Sequence, residues 1–207
     1  MKTRSYILVS LILIIFSPAC RKKKKEGPAI PDQIEIAGKT YRTVAIGEQI
    51  WTASNYEGPG GMSYDEANSR PEYGKYYTAD EIKSVPLPAG WELPTLEDFK
   101  ELAESQGVAF NDFTVLNPEP LKKLLSKTRW SHMAGTNESG FNAYPAGYSA
   151  GNSKPMDGDI SEFWAKDGHT VSFQESGNYT NFKMIFYKNS DQPGQRFNAR
   201  FILKSRH

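Results

Sequence analysis

Cysteine is almost absent: the 207 residues contain one, Cys20. The region after it can form no internal disulfide, and thiol chemistry is excluded from it. Histidine is scarce as well. His132, His169 and His207 have no metal-motif spacing among them, and no HExxH, no GxSxG elbow and no phosphate-cradling glycine loop occurs. Charge of one sign is also lacking, since the net charge is only +1, which argues against a nucleic-acid surface. The apolar run Tyr6 to Phe16 covers 11 residues, broken only by Ser10. Spanning a hydrocarbon core takes roughly 20, so this run is not a transmembrane anchor.

What is present begins with a targeting segment. Lys2 and Arg4 precede the apolar run, and Ser17-Pro18-Ala19-Cys20 follows it, which is the order of a secretory signal. Small residues directly before a lone cysteine resemble a lipobox, at which the signal is removed and the cysteine is acylated. The plainer alternative is ordinary cleavage after Ala19 with a free thiol on Cys20, but a single cysteine in an exported chain then needs another explanation. Residues 1–19 are read as signal peptide and 20–33 as a tether. The run Arg21 to Lys25, then Gly27-Pro28 and Pro31, carries too little apolar content to fold. Its five cations either hold the linker on an anionic leaflet, at about 1 kcal/mol each, or are simply solvated.

Residues 34–207 are long enough for one domain with its own core, and an aromatic content of 13% supports this. No internal repeat is visible. With Gly 17 and Pro 13 in the chain, many turns and few long helices are expected. Ile34 to Ile36, a Gly38-Lys39 turn and Thr40 to Ile46 read as two strands, followed by Gln49 to Ala53. Ser63 to Glu66 and Thr78 to Glu81 both show capping-box spacing and predict two short helices. Thr95 is the expected N-cap of a helix from Leu96 to about Gln106, with Phe99, Leu102 and Ala103 on one face and Gly107 after its end. Leu121, Leu124 and Leu125 after Pro120 form a further helical face. Asp167-Gly168, between Ser161 to Lys166 and His169 to Gln174, predicts a type I′ hairpin. Phe182 to Tyr187 and Gln195 to Leu203 complete a β-rich C-terminal half.

Five segments together resemble the Fibrobacter succinogenes major paralogous domain. They are Ile36 to Tyr41, Ile46 to Trp51, Tyr73 to Tyr77, Gly90 to Thr95, and Gly135 to Ala143 with Pro145 to Tyr148. Their order and spacing follow that family over nearly all of residues 34–204. Gly90 to Phe99 also looks like the corresponding stretch of C-type-lectin-like folds. The resemblance implies an α+β fold: a single C-type-lectin-like domain with short helices and a β-rich C-terminal half. It also implies an exported protein, commonly a lipoprotein. Many members place one cysteine just before the Pro-x-Gly-Trp segment and another in the last strand, a spacing that implies a disulfide. Leu87 and Phe201 stand at the matching places here, and the expectation is that they pack together in its stead.

The motif residues have structural readings of their own. Trp51, Trp91 and Trp130 are expected in the core, and Gly140, Pro145 and Gly147 in turns. For chemistry, Asp157, Asp159 and Glu162 are the one carboxylate group not explained by helix caps, and they offer hard oxygens for calcium. Tyr144, Tyr148 and Asn152 are the expected ligand-binding residues, since rings and an amide on one loop suit a sugar. The leading expectation is a non-catalytic binding module for glycan or protein, anchored through Cys20 in the cell envelope. The outer membrane is expected, with the periplasmic face favoured because the run after Cys20 is basic. An envelope enzyme built on the three carboxylates is the alternative.

Overall fold

The computed structural model describes residues 31–204. Cys20, the expected signal peptide and nearly all of the expected tether lie outside the described residues.

The chain opens as an antiparallel meander of β1 (Gln33–Ile36), β2 (Lys39–Ile46) and β3 (Gln49–Thr52). Ala37 and Gly38 close the first turn with φ of 49° and 79°, the left-handed pair that matches the strand twist. Thr78 then caps α1 (Ala79–Lys83) in a reciprocal box with Glu81. A two-residue strand, β4 (Trp91–Glu92), leads into α2 (Leu96–Glu104). Thr95 and Asp98 form the second capping box, each side chain reaching the other's backbone N–H. The helix buries Phe99, Leu102 and Ala103 as its spacing requires.

Two strands, β5 (Phe110–Asn111) and β6 (Thr114–Val115), form a small hairpin. The Leu121 face forms as a 3-10 helix over Glu119–Leu124 rather than an α-helix. After β7 (Ser149–Ala150), the C-terminal half builds a meander of β8 (Ile160–Trp164), β9 (Thr170–Glu175) and β10 (Phe182–Tyr187). At its first turn Asp167 has φ 62° and ψ 27° and Gly168 has φ 72°, closed by the His169 N–H donating to the Lys166 carbonyl at 3.2 Å. That is the type I′ geometry the Asp-Gly pair predicts. Trp164 and Phe173 ride on its two strands.

The expected strand over 195–203 is broken into β11 (Gln195–Arg196) and β12 (Ile202–Lys204). Residues Phe197 to Phe201 between them are all buried. β12 inserts between β3 and β4, so the first sheet runs β1-β2-β3-β12-β4 and joins the two ends of the domain. Alternate residues of this last segment enter different clusters. Ile202 joins Trp51, Phe99, Phe141, Phe163 and Phe173, whereas Phe201 joins Tyr41, Tyr56, Trp91 and Trp164. Leu87 packs against the same cluster that holds Phe201, which puts both on one side of the core without itself giving a direct contact between them. Trp51, Trp91 and Trp130 are buried, as expected.

One helix does not form. Ser63 to Glu66 lies in a turn, where Asp65 accepts the Ser69 N–H at 2.8 Å. The capping pattern has no apolar face to follow it, because Ala67-Asn68-Ser69-Arg70-Pro71 offers nothing to bury. The result is a mostly β, α+β domain with short helices.

At its centre sits Arg200, 1% exposed. Its Nε donates to Asn55 Oδ1 at 2.7 Å, and its Nη1 donates to the Thr52 and Phe141 carbonyls at 3.0 and 2.6 Å. Nη2 reaches the Asn142 carbonyl at 3.3 Å. No carboxylate is among these partners. Burial pulls the guanidinium down to about 9, which leaves it charged at neutral pH. It ties the end of β3 to the Phe141 loop and to the C-terminal segment.

Candidate site: a tyrosine and arginine cleft

The Arg200 network extends to a polar cleft through Asn55. The Asn55 and Asn198 side-chain amides both donate to the Tyr73 carbonyl, at 2.9 and 3.0 Å. Tyr73 ends the 3-10 turn Pro71–Tyr73, and two buried amides thus fix its backbone. Its ring lies in a third cluster with Tyr64, Tyr76 and Ala146, against which Tyr144 packs. Tyr64 meets Tyr73 edge-on, with ring centroids 5.5 Å apart.

Both tyrosine hydroxyls converge on one carboxylate. Tyr64 donates to Asp157 Oδ1 at 2.8 Å, and Tyr73 donates to Oδ2 at 3.2 Å. Burial, with the adjoining Asp157 charge, pushes both phenols above their ordinary range. They remain donors at any physiological pH. Asp157 and Gly158 are held in turn by the Ser131 N–H, which donates to the Gly158 carbonyl at 2.7 Å.

Arg70, Tyr73, Thr128, Arg129, Ser131, Asp157 and Gly158 line a cleft of about 740 Å³. Its two guanidiniums are unequal. Arg129 pairs through Nε with Glu72 at 2.8 Å and has a left-handed backbone, φ 78°, which is unusual for a residue with a side chain. Among the described residues Arg70 has no hydrogen-bonded partner and no ion pair for its guanidinium, and its Nε is buried without an acceptor. Its Cζ lies 6.0 Å from the centroid of the Tyr64 ring. Lys154 also approaches the Tyr64 ring, its Nζ 4.8 Å from the centroid. Lys154, Tyr64 and Asn152 line a second hollow beside the first.

The sequence-predicted residues divide accordingly. Tyr144 packs on Tyr73 at 6.1 Å, Asn152 lines the neighbouring hollow, and Asp157 lies in the cleft itself. Tyr148 goes elsewhere and packs on Phe197 at 5.7 Å in the second cluster. The expected calcium trio does not converge. Asp157 is bound to two tyrosines, Asp159 is exposed, and Glu162 is buried on β8, where it accepts from the Thr170 hydroxyl at 2.6 Å. Among the described residues no group of three or more His, Cys, Asp or Glu could hold a metal ion. Side chains alternate along β8 and the cleft sits on the loop before it, so spacing in the sequence is not spacing in space. Burial raises the Glu162 carboxyl to about 7.

A family model, the Fibrobacter succinogenes major domain, matches residues 44–203. The chain belongs to that family. The match runs from the end of β2 to β12 and takes in α2 and the whole cleft, so Arg70, Tyr73, Arg129 and Asp157 all fall within the family domain. Neither a curated protein nor a solved structure gives a match. Among the described residues no helix is long and apolar enough to cross a membrane.

Proposed function

We propose that this protein is a cell-envelope lipoprotein, acylated on Cys20, that presents a non-catalytic binding module for a glycan or a protein. The observation that carries the binding reading is the cleft: a guanidinium with no partner, a second one half-engaged, and a carboxylate fixed by two tyrosines. Binding sites are recognised by a few convergent polar groups on a rigid frame. Here the frame is the Asn55, Asn198 and Arg200 network. The enzyme alternative needs cooperating carboxylates, and Glu162 is buried against Thr170 while Asp157 faces the cleft.

A C-type-lectin-like fold is part of the same proposal. Its support is the stretch from Gly90 to Phe99, where a short strand runs into a capped helix. The outer membrane, with the domain on its periplasmic face, is proposed from the basic run after Cys20. Metabolic labelling with a palmitate analogue tests the anchor: the wild type should be marked and Cys20→Ala should not. Equal labelling of both would overturn it. A glycan and envelope-protein array probed with the mature protein tests the binding role, and Asp157→Ala should lose whatever signal the wild type gives.

A further inference from the structure

The cleft offers more donors than acceptors. Arg70 and Arg129 bring guanidinium N–H groups, and Thr128 and Ser131 bring hydroxyls. The one carboxylate among its lining residues, Asp157, already accepts one tyrosine hydroxyl at each oxygen. Arg129 commits only Nε to Glu72. The Arg70 Nε–H is buried without an acceptor, and a ligand oxygen that meets it would satisfy a donor the fold leaves unpaired. Guanidiniums recognise flat oxyanions best, because two parallel N–H groups meet two oxygens.

The same cleft retains lone pairs. Asp157 can accept from a further hydroxyl beside each tyrosine, since a carboxylate has about four acceptor positions. A ligand that satisfies both sides carries an oxyanion and hydroxyl donors on one small frame. An acidic peptide supplies the first and not the second, and a neutral sugar supplies the second and not the first.

Resting on the binding reading above, we infer that the cleft takes an acidic saccharide, its carboxylate on Arg70 and Arg129 and its ring hydroxyls on Asp157. Arg70, which has no competing partner, is the primary anchor.

Calorimetry with the mature protein in non-ionic detergent tests this, using oligogalacturonate, its methyl ester, a neutral oligosaccharide and a polyglutamate peptide. Oligogalacturonate should bind best, and esterification should weaken it at least tenfold. Arg70→Gln should lose at least tenfold while its melting temperature stays that of the wild type. Arg129→Gln should show a smaller loss. The five cations from Arg21 to Lys25 could attract any polyanion, and they provide the control. Binding that survives Arg70→Gln belongs to the tether and overturns the inference. So does preference for the peptide, or equal affinity for the ester, although either leaves a binding module in place. If none of the four ligands binds while the array finds another, the acid inference alone falls; if the array is also silent, the binding reading falls with it.

Discussion

Arg200 and Arg70 are both packed against aromatic rings, and their surroundings are opposite. Arg200 stands 4.6 Å from the Phe141 ring centroid and 5.7 Å from that of Phe163, with every guanidinium nitrogen given an acceptor. Arg70 has the Tyr64 ring and no acceptor. Burying a charge is tolerable only where its hydrogen bonds are met, so the first arrangement suits a permanent clamp. The second leaves capacity unused beside an open cleft. The difference separates a residue that holds the fold together from one that is available to a ligand.

The largest effect expected from breaking this comparison is at Arg200. Arg200→Met leaves three backbone carbonyls and Asn55 Oδ1 without their donor, and at about 1–3 kcal/mol for each buried acceptor left unsatisfied the total loss should exceed about 3 kcal/mol. Arg70→Met removes no partner and should change stability by less than about 1 kcal/mol in either direction. Chemical denaturation of the mature variants measures both. Equal losses would erase the distinction.

Glu162 sharpens the comparison from the acidic side, being buried with a single hydroxyl donor and no cation beside it. Its folded value of about 7 lies above the ordinary 4.5, so folding favours the protonated form. Its penalty is therefore absent below about pH 4.5, grows as pH rises toward 7, and is complete above that. Glu162→Gln should add up to about 3 kcal/mol at pH 8 and almost nothing at pH 4. Melting curves across that range decide it, and a gain independent of pH would show that charge is not the cause.

Gly168 is expected to give a somewhat smaller effect. A side chain there would keep φ at 72° and place its Cβ 2.4 Å from the Asp191 carboxyl carbon. Gly168→Val should cost on the order of 2 kcal/mol, while Gly168→Asn, which tolerates positive φ, should cost less. Val without loss of melting temperature would contradict the turn.

Elements with local signatures were legible in the sequence. Thr78 and Thr95 announced their helices, Asp167-Gly168 announced its turn, and Phe182 to Tyr187 is a strand over the residues expected. The same capping logic failed at Ser63 because a cap stabilises a helix only where a face can be buried. The cleft was less legible. Tyr64 and Asp157 stand 93 residues apart, and nothing near either one points to the other. Asp157 lies in the cleft, Tyr144 packs on Tyr73 and Asn152 lines the neighbouring hollow, whereas Tyr148 packs on Phe197 in the core. Arg200 could have been noticed, since an arginine inside Phe197-Asn198-Ala199-Arg200-Phe201-Ile202 must be buried with its partners. Arg70 carries no local mark.

The most direct test follows the arginine Nε–H signals of the mature protein by nitrogen-edited NMR while oligogalacturonate is added. The Arg70 Nε–H should shift and sharpen as it gains an acceptor, while that of Arg200, already bonded to Asn55, stays in place. An Arg70 signal that does not move while resonances elsewhere in the domain do would contradict the account.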